Sequence, residues 1–216
     1  MAMDGDGEPD SREEIMRATY RALCRHGFAN LTMQDIADEM GKSRTLLHYH
    51  FDTKDDLLEA YLDRMIGWIG NRLAQSDTEH PIDRLGEFIE FFVIEPADQS
   101  EHFALAILEM RLQAVHNRTF KRKLTAHYEE NVATVARIIE AGIEDGVFRA
   151  VDPEAVGETI YTALVGARTY QLTLDAGDAT RRMARQLWEI VRSYLLTDEG
   201  RAYLEDVPEE AFPALR

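Results

Sequence analysis

Residues 31–58, "LTMQDIADEMGKSRTLLHYHFDTKDDLL", contain two short amphipathic segments separated by a three-residue break. Thr32 and Asp35 have the spacing of a helix N-cap and its partner, and the apolar face that follows ends at Gly41. Ser43 is placed to cap a second segment, in which Leu47 points inward. Two helices of this length joined by a tight turn predict a helix-turn-helix, whose second helix lies in a major groove.

The charge of this stretch differs from that of the rest of the chain. The chain has 40 Asp and Glu against 24 Lys and Arg, a net charge of -16, yet residues 41–50 contain two cations, two histidines and no acid. A carboxylate on a groove-binding helix would face DNA phosphates at short range and weaken binding. The acid-free face is therefore the property that such a helix requires, and it places Arg44, Thr45 and His48 as candidates for contact with base edges.

A series of residues gives this stretch a family likeness: Thr32, Ile36, Ala37, Gly41, Ser43, Leu47, Tyr49, His50, Phe51, Lys54 and Leu58. In this order they resemble the DNA-binding segment of the TetR family of transcriptional regulators. The resemblance implies that a further set of residues contacts or flanks the phosphate backbone: Thr32, Ser43, Tyr49, His50 and Lys54. Lys42 completes the predicted DNA-binding set.

Some of these positions have a second interpretation or depart from the family pattern. Phe51 is assigned to the core, and His50 is either a phosphate contact or a core residue. Lys42, Thr45, Leu46 and His48 replace residues that are usual in the family, so the operator sequence cannot be carried over from its members. His48 and His50 are two residues apart on a helix and point to different faces, which makes a metal site there improbable.

The remaining sequence also has helical periodicity and helical punctuation. A first helix is predicted from Ser11 to Gly27, and a long fourth helix from the Thr53–Asp56 cap to near Gln75. Later helix starts are predicted at Pro81, Ser100, Arg118, Asp152 and Asp178. The predicted fold is all-α: an N-terminal three-helix DNA-binding domain with a helix-turn-helix, joined by a long helix to a larger helical ligand-binding and dimerisation domain.

Four ranges describe the predicted domain organisation. They are an acidic, disordered tail over residues 1–10, the helix-turn-helix domain over 11–56, the helical ligand-binding and dimerisation domain over 57–206, and a C-terminal tail over 207–216. The fourth helix begins beside the DNA-binding residues and continues into the larger domain, so it is expected to couple the two.

The resemblance implies a homodimer built from the last two long helices, about residues 153–174 and 178–197. An apolar stripe with a glycine that permits close approach supports this surface independently. The predicted dimer residues are Ile160, Ala163, Leu164, Gly166, Ala167, Leu187, Val191 and Tyr194. Two-fold symmetry of this kind matches a palindromic operator.

A ligand cavity is expected among large apolar and aromatic residues at helical spacing. The candidates are Met65, Trp68, Phe88, Phe92, Phe103, Ile107, Met110, Tyr128, Tyr161 and Arg168. His102, Glu109, Arg111 and His116 are further candidates for polar anchors, and solvated surface is the alternative for these polar residues. Each of the apolar candidates has the alternative of being plain core. The predicted partners are thus double-stranded DNA, a small-molecule effector and a second copy of the chain, without a cofactor or a metal.

Other function classes find less support. The sequence has no G-x-S-x-G, no phosphate-binding glycine loop, no H-E-x-x-H and a single cysteine, so no catalytic constellation is predicted. Neither a secretory signal nor a membrane-spanning run is present, and a cytoplasmic protein is expected. The alternative that remains open is an all-helical adaptor or co-regulator of the same fold that has lost DNA binding.

Arginine outnumbers lysine among the cationic residues, with 20 arginines and four lysines. An acid-rich surface with little lysine suits a cytoplasm of high salt, where screening relieves self-repulsion. A halophilic source is the resulting hypothesis.

Overall fold

The computed structural model describes residues 11–74, 78–93, 101–207 and 211–215; the side chains of residues 66–74, 101–103 and 214 lie outside the description. Over these ranges the chain is helical, with a single bridge between Phe148 and Leu196 and no longer strand. The helices are α1 Ser11–Asn30, α2 Met33–Met40, α3 Arg44–His50, α4 Lys54–Ala74, α5 Pro81–Phe91, α6 Glu101–Gln113, α7 Arg118–Glu144, α8 Pro153–Thr173, α9 Ala179–Ile190 and α10 Asp198–Asp206. The predicted all-α fold class is confirmed.

Several helix starts follow the local signals that predicted them. Pro81 is the first residue of α5, where its missing N–H costs no hydrogen bond. Asp152 caps α8 by accepting hydrogen bonds from the N–H groups of Glu154 at 3.0 Å and Ala155 at 3.2 Å. Thr53 and Asp56 exchange side-chain to backbone bonds of 3.0 and 3.1 Å at the start of α4. No helix in the described parts of the chain is apolar over a length that would cross a membrane.

The chain divides into two compact units, each continuous in space but not in sequence. The first is Met1–Gly67 with Gln99–Leu124, and the second is Trp68–Asp98 with Thr125–Arg216. In the first unit α6 packs against α1, and α1 packs against α2. The predicted domain boundaries, at residues 56 and 206, stay predictions.

The core of the first unit consists of the inward stripes of its helices. α1 and α2 bury Ile15, Ala22, Leu23, Ile36 and Ala37 completely. The first turns of α4 and the middle of α6 add further fully buried residues: Leu57, Leu58, Leu62, Ala106 and Met110. Burial of each large side chain stabilises the fold by about 1.5–3 kcal/mol relative to exposure, so this face holds α2 and α3 in place.

The second unit packs α5, α7, α8 and α9 around a separate core that includes Phe88, Leu164 and Trp188. At Gly157 a side chain would place its Cβ 2.7 Å from the Val132 carbonyl oxygen, so α7 and α8 approach more closely than any other residue allows. This glycine therefore fixes the spacing of the two helices.

The end of the chain differs from the tail predicted over residues 207–216. Phe212 and Leu215 are 4% and 2% exposed and belong to the core of the second unit. Gly86 makes room for Phe212, because a Cβ there would lie 2.6 Å from the Phe212 ring. Through Phe212 and Leu215, the described part of this terminus is thus a packed element.

The predicted helix over about residues 178–197 is helical from Ala179 to Leu195, but its hydrogen-bond pattern changes before its end. α9 stops at Ile190, and Val191–Leu195 forms a π-helical turn closed by the bond from Leu196 N–H to the Val191 carbonyl at 3.1 Å. The Leu195 carbonyl instead accepts the N–H of Arg149 at 2.8 Å. A partner 46 residues away thus takes the last carbonyl of the π-helical turn, and helical periodicity contains no sign of this bond.

Candidate nucleic-acid interface

Local structure fixes both ends of α2, the helix that precedes the turn. At the start of α2, Thr32 N–H and hydroxyl donate to Asp35 Oδ2 at 2.8 and 2.6 Å, and Asp35 N–H donates back to the Thr32 hydroxyl at 3.2 Å. The hydroxyl bond from Thr32 is the largest cause that lowers the pKa of Asp35. At the other end Gly41 has φ 64° and ψ 25°, a left-handed conformation in which glycine costs no steric energy. The capping box predicted for α2 is confirmed.

Ser43 is the N-cap residue of α3, as predicted, but it caps the helix without its side chain. Ser43 occupies the N-cap position, and its carbonyl accepts the Leu46 N–H at 3.0 Å, but its side chain makes no capping hydrogen bond. The Ser43 hydroxyl and the first N–H groups of α3 therefore stay available at the surface. Such groups are donors that DNA phosphates accept.

Two buried apolar residues, Leu47 within α3 and Phe51 at its C-cap, set the orientation of α3. Leu47 is fully buried and Phe51 is 8% exposed, so the assignment of Phe51 to the core is confirmed. The opposite face is exposed along its length, and its residues are Lys42, Ser43, Arg44, Thr45, His48, Tyr49 and His50. His50 is therefore a surface residue, which removes its alternative as core. Arg44, Thr45 and His48 lie together on the outward side, as the DNA-reading interpretation requires.

Two side-chain contacts order the outward face of α3. Arg44 Nε donates to His48 Nε2 at 3.0 Å, one helical turn away. The rings of Tyr49 and His50 meet edge to face with centroids 5.2 Å apart, while Tyr49 remains 84% exposed. The face thus presents a guanidinium, two imidazoles and a phenol, all of which donate hydrogen bonds.

Carboxylates close to this face in sequence are directed elsewhere or paired. The Glu39 side chain is 8% exposed and binds Arg21 and Arg25 of α1. Glu14 forms an ion pair with Lys42. The negative charge of this unit is thus partly neutralised beside α3, which supports an anion-binding surface on an acidic chain.

Lys54, whose place at the phosphate backbone stays a prediction, makes two contacts within the first unit. Its ammonium group donates to the Leu31 carbonyl at 3.0 Å and lies 5.4 Å from the centroid of the Phe28 ring. The side chain is half-buried and joins the start of α4 to the loop before α2. It holds this loop, and because an ammonium group has three N–H donors, the bond to Leu31 leaves donors for a phosphate.

Glu109 contributes to the first unit in a way that the sequence did not indicate. Its Oε2 accepts the N–H of Phe28 at 2.6 Å, where α1 is broken by Gly27 at φ 67° and ψ 173°. The Phe28 ring also meets Phe120 edge to face, with centroids 6.0 Å apart. The carboxylate of α6 therefore holds the junction between α1 and α2. The glycine in "HGF" was the only local signal of an open N–H, and nothing near it in sequence identified the acceptor.

The predicted ligand residues fall into separate groups. Phe88, Phe92, Tyr128 and Tyr161 form a chain of ring contacts with centroids 5.7–5.8 Å apart in the second unit, and Tyr128 donates to Glu158 at 2.8 Å. This bond raises the pKa of Tyr128. Arg168 is half-buried on α8 of the same unit.

The other ligand candidates lie in the first unit or outside the described side chains. Met65 and Met110 are buried and Ile107 is half-buried in the first unit, while the side chains of Trp68 and Phe103 are outside the description. A concave surface of about 340 Å³ occurs in the second unit at residues that were not predicted: Thr78, Asp83, Glu87, Tyr203, Asp206, Val207, Ala211 and Phe212. Tyr203 donates a hydrogen bond to Asp83 at 2.6 Å there. Burial is the larger cause, and this bond the second, that raises the pKa of Tyr203 to about 12.

Most predicted dimer residues face the interior of their own chain. Ile160, Leu164, Ala167, Leu187 and Val191 are at most 5% exposed, so their side chains pack within the second unit and cannot form the centre of a dimer contact. Ala163 is half-buried, Gly166 has open space at its Cβ position, and Tyr194 is 72% exposed. The large apolar residues on the outside of α8, α9 and the π-helical turn are Tyr170, Leu174, Ile190 and Tyr194, which are 52–72% exposed.

Family models match both parts of the chain. Residues 15–61 match the model described as bacterial regulatory proteins, tetR family, and residues 81–197 match the C-terminal model of the BetI-type transcriptional repressor. A TetR transcription regulator from Haloarcula marismortui has a solved structure with TM-score 0.81 and 37% identity, covering 86% of this chain and 98% of that one.

Curated relatives give the same family. The regulator TtgR from Pseudomonas putida is 32% identical over 77 residues, which is 36% of this chain and only 37% of that protein. The repressor KstR2 from Rhodococcus jostii is 27% identical over 180 residues, 79% of this chain and 84% of that protein. A regulator from Saccharomonospora viridis, solved in complex with choline, has TM-score 0.77 at 23% identity over 87% of this chain and 98% of that one, a likeness of fold alone.

Proposed function

The chain belongs to the TetR family of transcriptional regulators, and on this premise we propose that it is a ligand-responsive repressor that binds a palindromic operator as a homodimer. The observation that carries the proposal is the outward face of α3, which has no carboxylate on a chain of net charge -16. Arg44, Thr45 and His48 would contact base edges there, while Ser43, Tyr49 and His50 would bind the backbone.

The second copy would use the exposed sides of α8 and α9. Tyr170, Leu174, Ile190 and Tyr194 are large apolar residues in contact with water, and Gly166 leaves space for a partner helix to approach. Two-fold pairing through these helices would present two copies of α3 to one duplex. Ile160 and Leu164, on the inward side of α8, would then hold this helix against the core of its own chain.

The effector would bind among the aromatic residues of the second unit. Phe92, Tyr128 and Tyr161 supply ring faces, and Glu158 adds a carboxylate, which together suit a small molecule with a cationic or aromatic group. The choline complex of the Saccharomonospora viridis regulator is in keeping with this class of ligand. Only a difference in effector affinity between two conformations would change DNA binding.

The experiment that tests this function is a binding titration with duplex DNA from upstream of the protein's own gene. We expect sequence-specific binding that weakens with salt, together with release by a small molecule that co-purifies or is supplied. Absence of binding at every salt concentration would favour the adaptor, and turnover of a small metabolite would favour an enzyme.

Replacement of Glu109 tests how the first unit depends on α6. Glu109→Ala leaves the half-buried Phe28 N–H without its acceptor, so we expect the free energy of unfolding to fall by about 1–2 kcal/mol and the melting temperature by a few degrees. The effector should also release DNA less completely, because the junction between α1 and α2 is no longer tied to α6. Thermal melts and operator titrations with and without effector measure both effects.

The matched control for this substitution is Glu130→Ala. Glu130 pairs with Arg137 at 2.8 Å, with both side chains more than 60% exposed, and should contribute almost nothing. Equal melting temperatures for the Glu109 and Glu130 variants would contradict the role given to Glu109.

The surface charge leads to a proposal about working conditions. The chain has 40 Asp and Glu residues and four lysines. We propose that it is adapted to high salt, and the match with a Haloarcula marismortui regulator is in keeping with this proposal. The melting temperature should rise by several degrees between 0.1 and 2 M KCl, because the Debye length falls from about 10 Å to about 3 Å or less. NaCl at equal ionic strength should act alike if screening is the cause, and a maximum in dilute buffer would count against the adaptation.

A further inference from the structure

The concave surface of about 340 Å³ in the second unit has three carboxylates and no cation among its described lining residues. Asp83 and Glu87 are one turn apart on α5, and Asp206 is the last residue of α10. Glu87 and Asp206 make no hydrogen bond or ion pair with another described residue. The arginines on the same two helices, Arg84 and Arg201, do not line this surface, and Arg201 is paired within α10. We call this surface the acidic cavity.

Asp83 is held in place but is only partly satisfied. Its Oδ2 accepts hydrogen bonds from the hydroxyls of Tyr203 at 2.6 Å and Thr78 at 3.2 Å. The ring of His80 stacks on Tyr203 with centroids 3.4 Å apart and an angle of 11° between the planes, which fixes the tyrosine that binds Asp83. The other oxygen, Oδ1, is buried and has no hydrogen-bond donor among the described residues. Buried carboxylate oxygens normally have a donor, so an N–H group from a ligand would be favourable there.

The carboxylates of the acidic cavity are too far apart to share one small ion. No group of three His, Cys, Asp or Glu side chains in the described parts of the chain could hold a metal ion. The rest of the lining includes the apolar side chains of Val207, Ala211 and Phe212. Separate negative charges beside an apolar wall suit a chain of methylene groups that carries more than one ammonium group.

We propose that the acidic cavity binds a linear diamine or polyamine, with one ammonium group at Asp83 and the others at the unpaired carboxylates of Glu87 and Asp206. An ammonium group has three N–H donors and no acceptor, which matches a site whose charged groups all accept. The bound molecule would connect α5 to α10. The acidic cavity contains none of the aromatic residues proposed for the effector, and its binding of an amine does not depend on the proposed function.

The test is isothermal titration calorimetry of the full chain with spermidine at about pH 7, where aliphatic amines are protonated. We expect one spermidine bound per chain, with an affinity that falls as KCl is raised, because salt screens the attraction. The monoamine 1-aminobutane can neutralise only one of the three carboxylates, so it should bind at least about tenfold more weakly.

Two variants of the acidic cavity separate charge from shape. The double substitution Glu87→Gln and Asp206→Asn removes two charges without removing a described bond, and it should weaken spermidine binding at least about tenfold. Ala211→Trp leaves the charge unchanged and fills space at a lining residue, so it should also weaken binding.

The matched control removes two charges elsewhere in the second unit. Glu140 and Glu144 are exposed on α7, so the double substitution Glu140→Gln and Glu144→Gln should leave the affinity for spermidine within about twofold of wild type. Circular dichroism of each variant verifies that the helices remain folded.

Three results would overturn the assigned site. They are absence of saturable binding by wild type, unchanged affinity in the Glu87 and Asp206 variant, and equal losses in that variant and the control, which would mean that spermidine is attracted to the acidic surface as a whole. Equal affinities for spermidine and 1-aminobutane would overturn the ligand class. Failure of the wild-type chain to bind any operator would contradict the proposed function and leave the acidic cavity as it is, so the two failures are distinguishable.

Discussion

Arg44→Ala is expected to reduce operator affinity about 10- to 100-fold while leaving binding to unrelated duplex within a few fold of wild type. A bidentate arginine–guanine contact discriminates against the wrong base pair by about 1–3 kcal/mol, and a two-fold dimer makes the contact twice. One lost charge per subunit accounts only for the small uniform decrease. The side chain is exposed, so its removal should not disturb the core formed by Leu47.

The measurement is fluorescence anisotropy with labelled operator and scrambled duplex at two salt concentrations. Arg137→Ala removes the same charge from an exposed site on α7 and provides the control, with no expected change in specificity. Equal losses on operator and scrambled DNA would show that Arg44 binds phosphate and does not read a base.

The second large effect is expected at the exposed faces of α8, α9 and the π-helical turn. The double substitution Ile190→Glu and Tyr194→Glu places two carboxylates on residues that are 52% and 72% exposed. Near a two-fold axis each new charge would approach its own copy, in addition to losing apolar contact area. We expect a change from dimer to monomer at micromolar concentration.

Loss of the dimer should in turn reduce operator affinity by more than tenfold. Two half-sites on one duplex are bound cooperatively only when the two copies of α3 are connected. Light scattering after size exclusion gives the mass, and the same DNA titration gives the affinity. Because both residues are exposed, circular dichroism should show unchanged helix content.

A matched substitution at another exposed apolar residue separates a dimer surface from a general effect of added charge. Val115 follows α6 and is 75% exposed, so Val115→Glu should remain dimeric and bind the operator. A dimer that survives the double substitution, or a wild-type protein that is monomeric at micromolar concentration, would contradict the assigned surface.

The parts of the fold that the sequence predicted are those that local chemistry determines. The caps at Thr32 and Thr53 each bind a carboxylate three residues later, and Asp152 binds the first N–H groups of α8. Gly41 ends α2 in a left-handed conformation, which glycine adopts more readily than other residues. These bonds span at most four residues, so their sequence spacing is enough to identify them.

The parts that the sequence did not predict depend on partners far along the chain. Glu109 reaches Phe28 across 81 residues, and the Arg149 N–H binds the Leu195 carbonyl at the end of the π-helical turn. Lys54 donates to the Leu31 carbonyl, 23 residues earlier in the chain, and its position in the sequence did not indicate this bond. A residue type indicates which bonds a side chain can make, whereas only the fold determines which partner is near.

The predicted dimer stripe shows a separate limit of periodicity. A helical repeat of apolar residues identifies a face that avoids water, but it does not indicate whether the core of the same chain or a second copy covers it. Ile160, Leu164 and Leu187 belong to the core, and the exposed side carries scattered residues such as Tyr170 and Ile190 that have no strong repeat.

Selection of bound sequences from a random duplex pool, followed by footprinting of the winners, tests most directly whether paired α3 helices read DNA. We predict an inverted repeat whose half-sites are centred about one helical turn, or a multiple of it, apart, with protection of both and one dimer bound per repeat or an even multiple. Enrichment of no sequence, or of a single half-site occupied by one chain, would contradict the account.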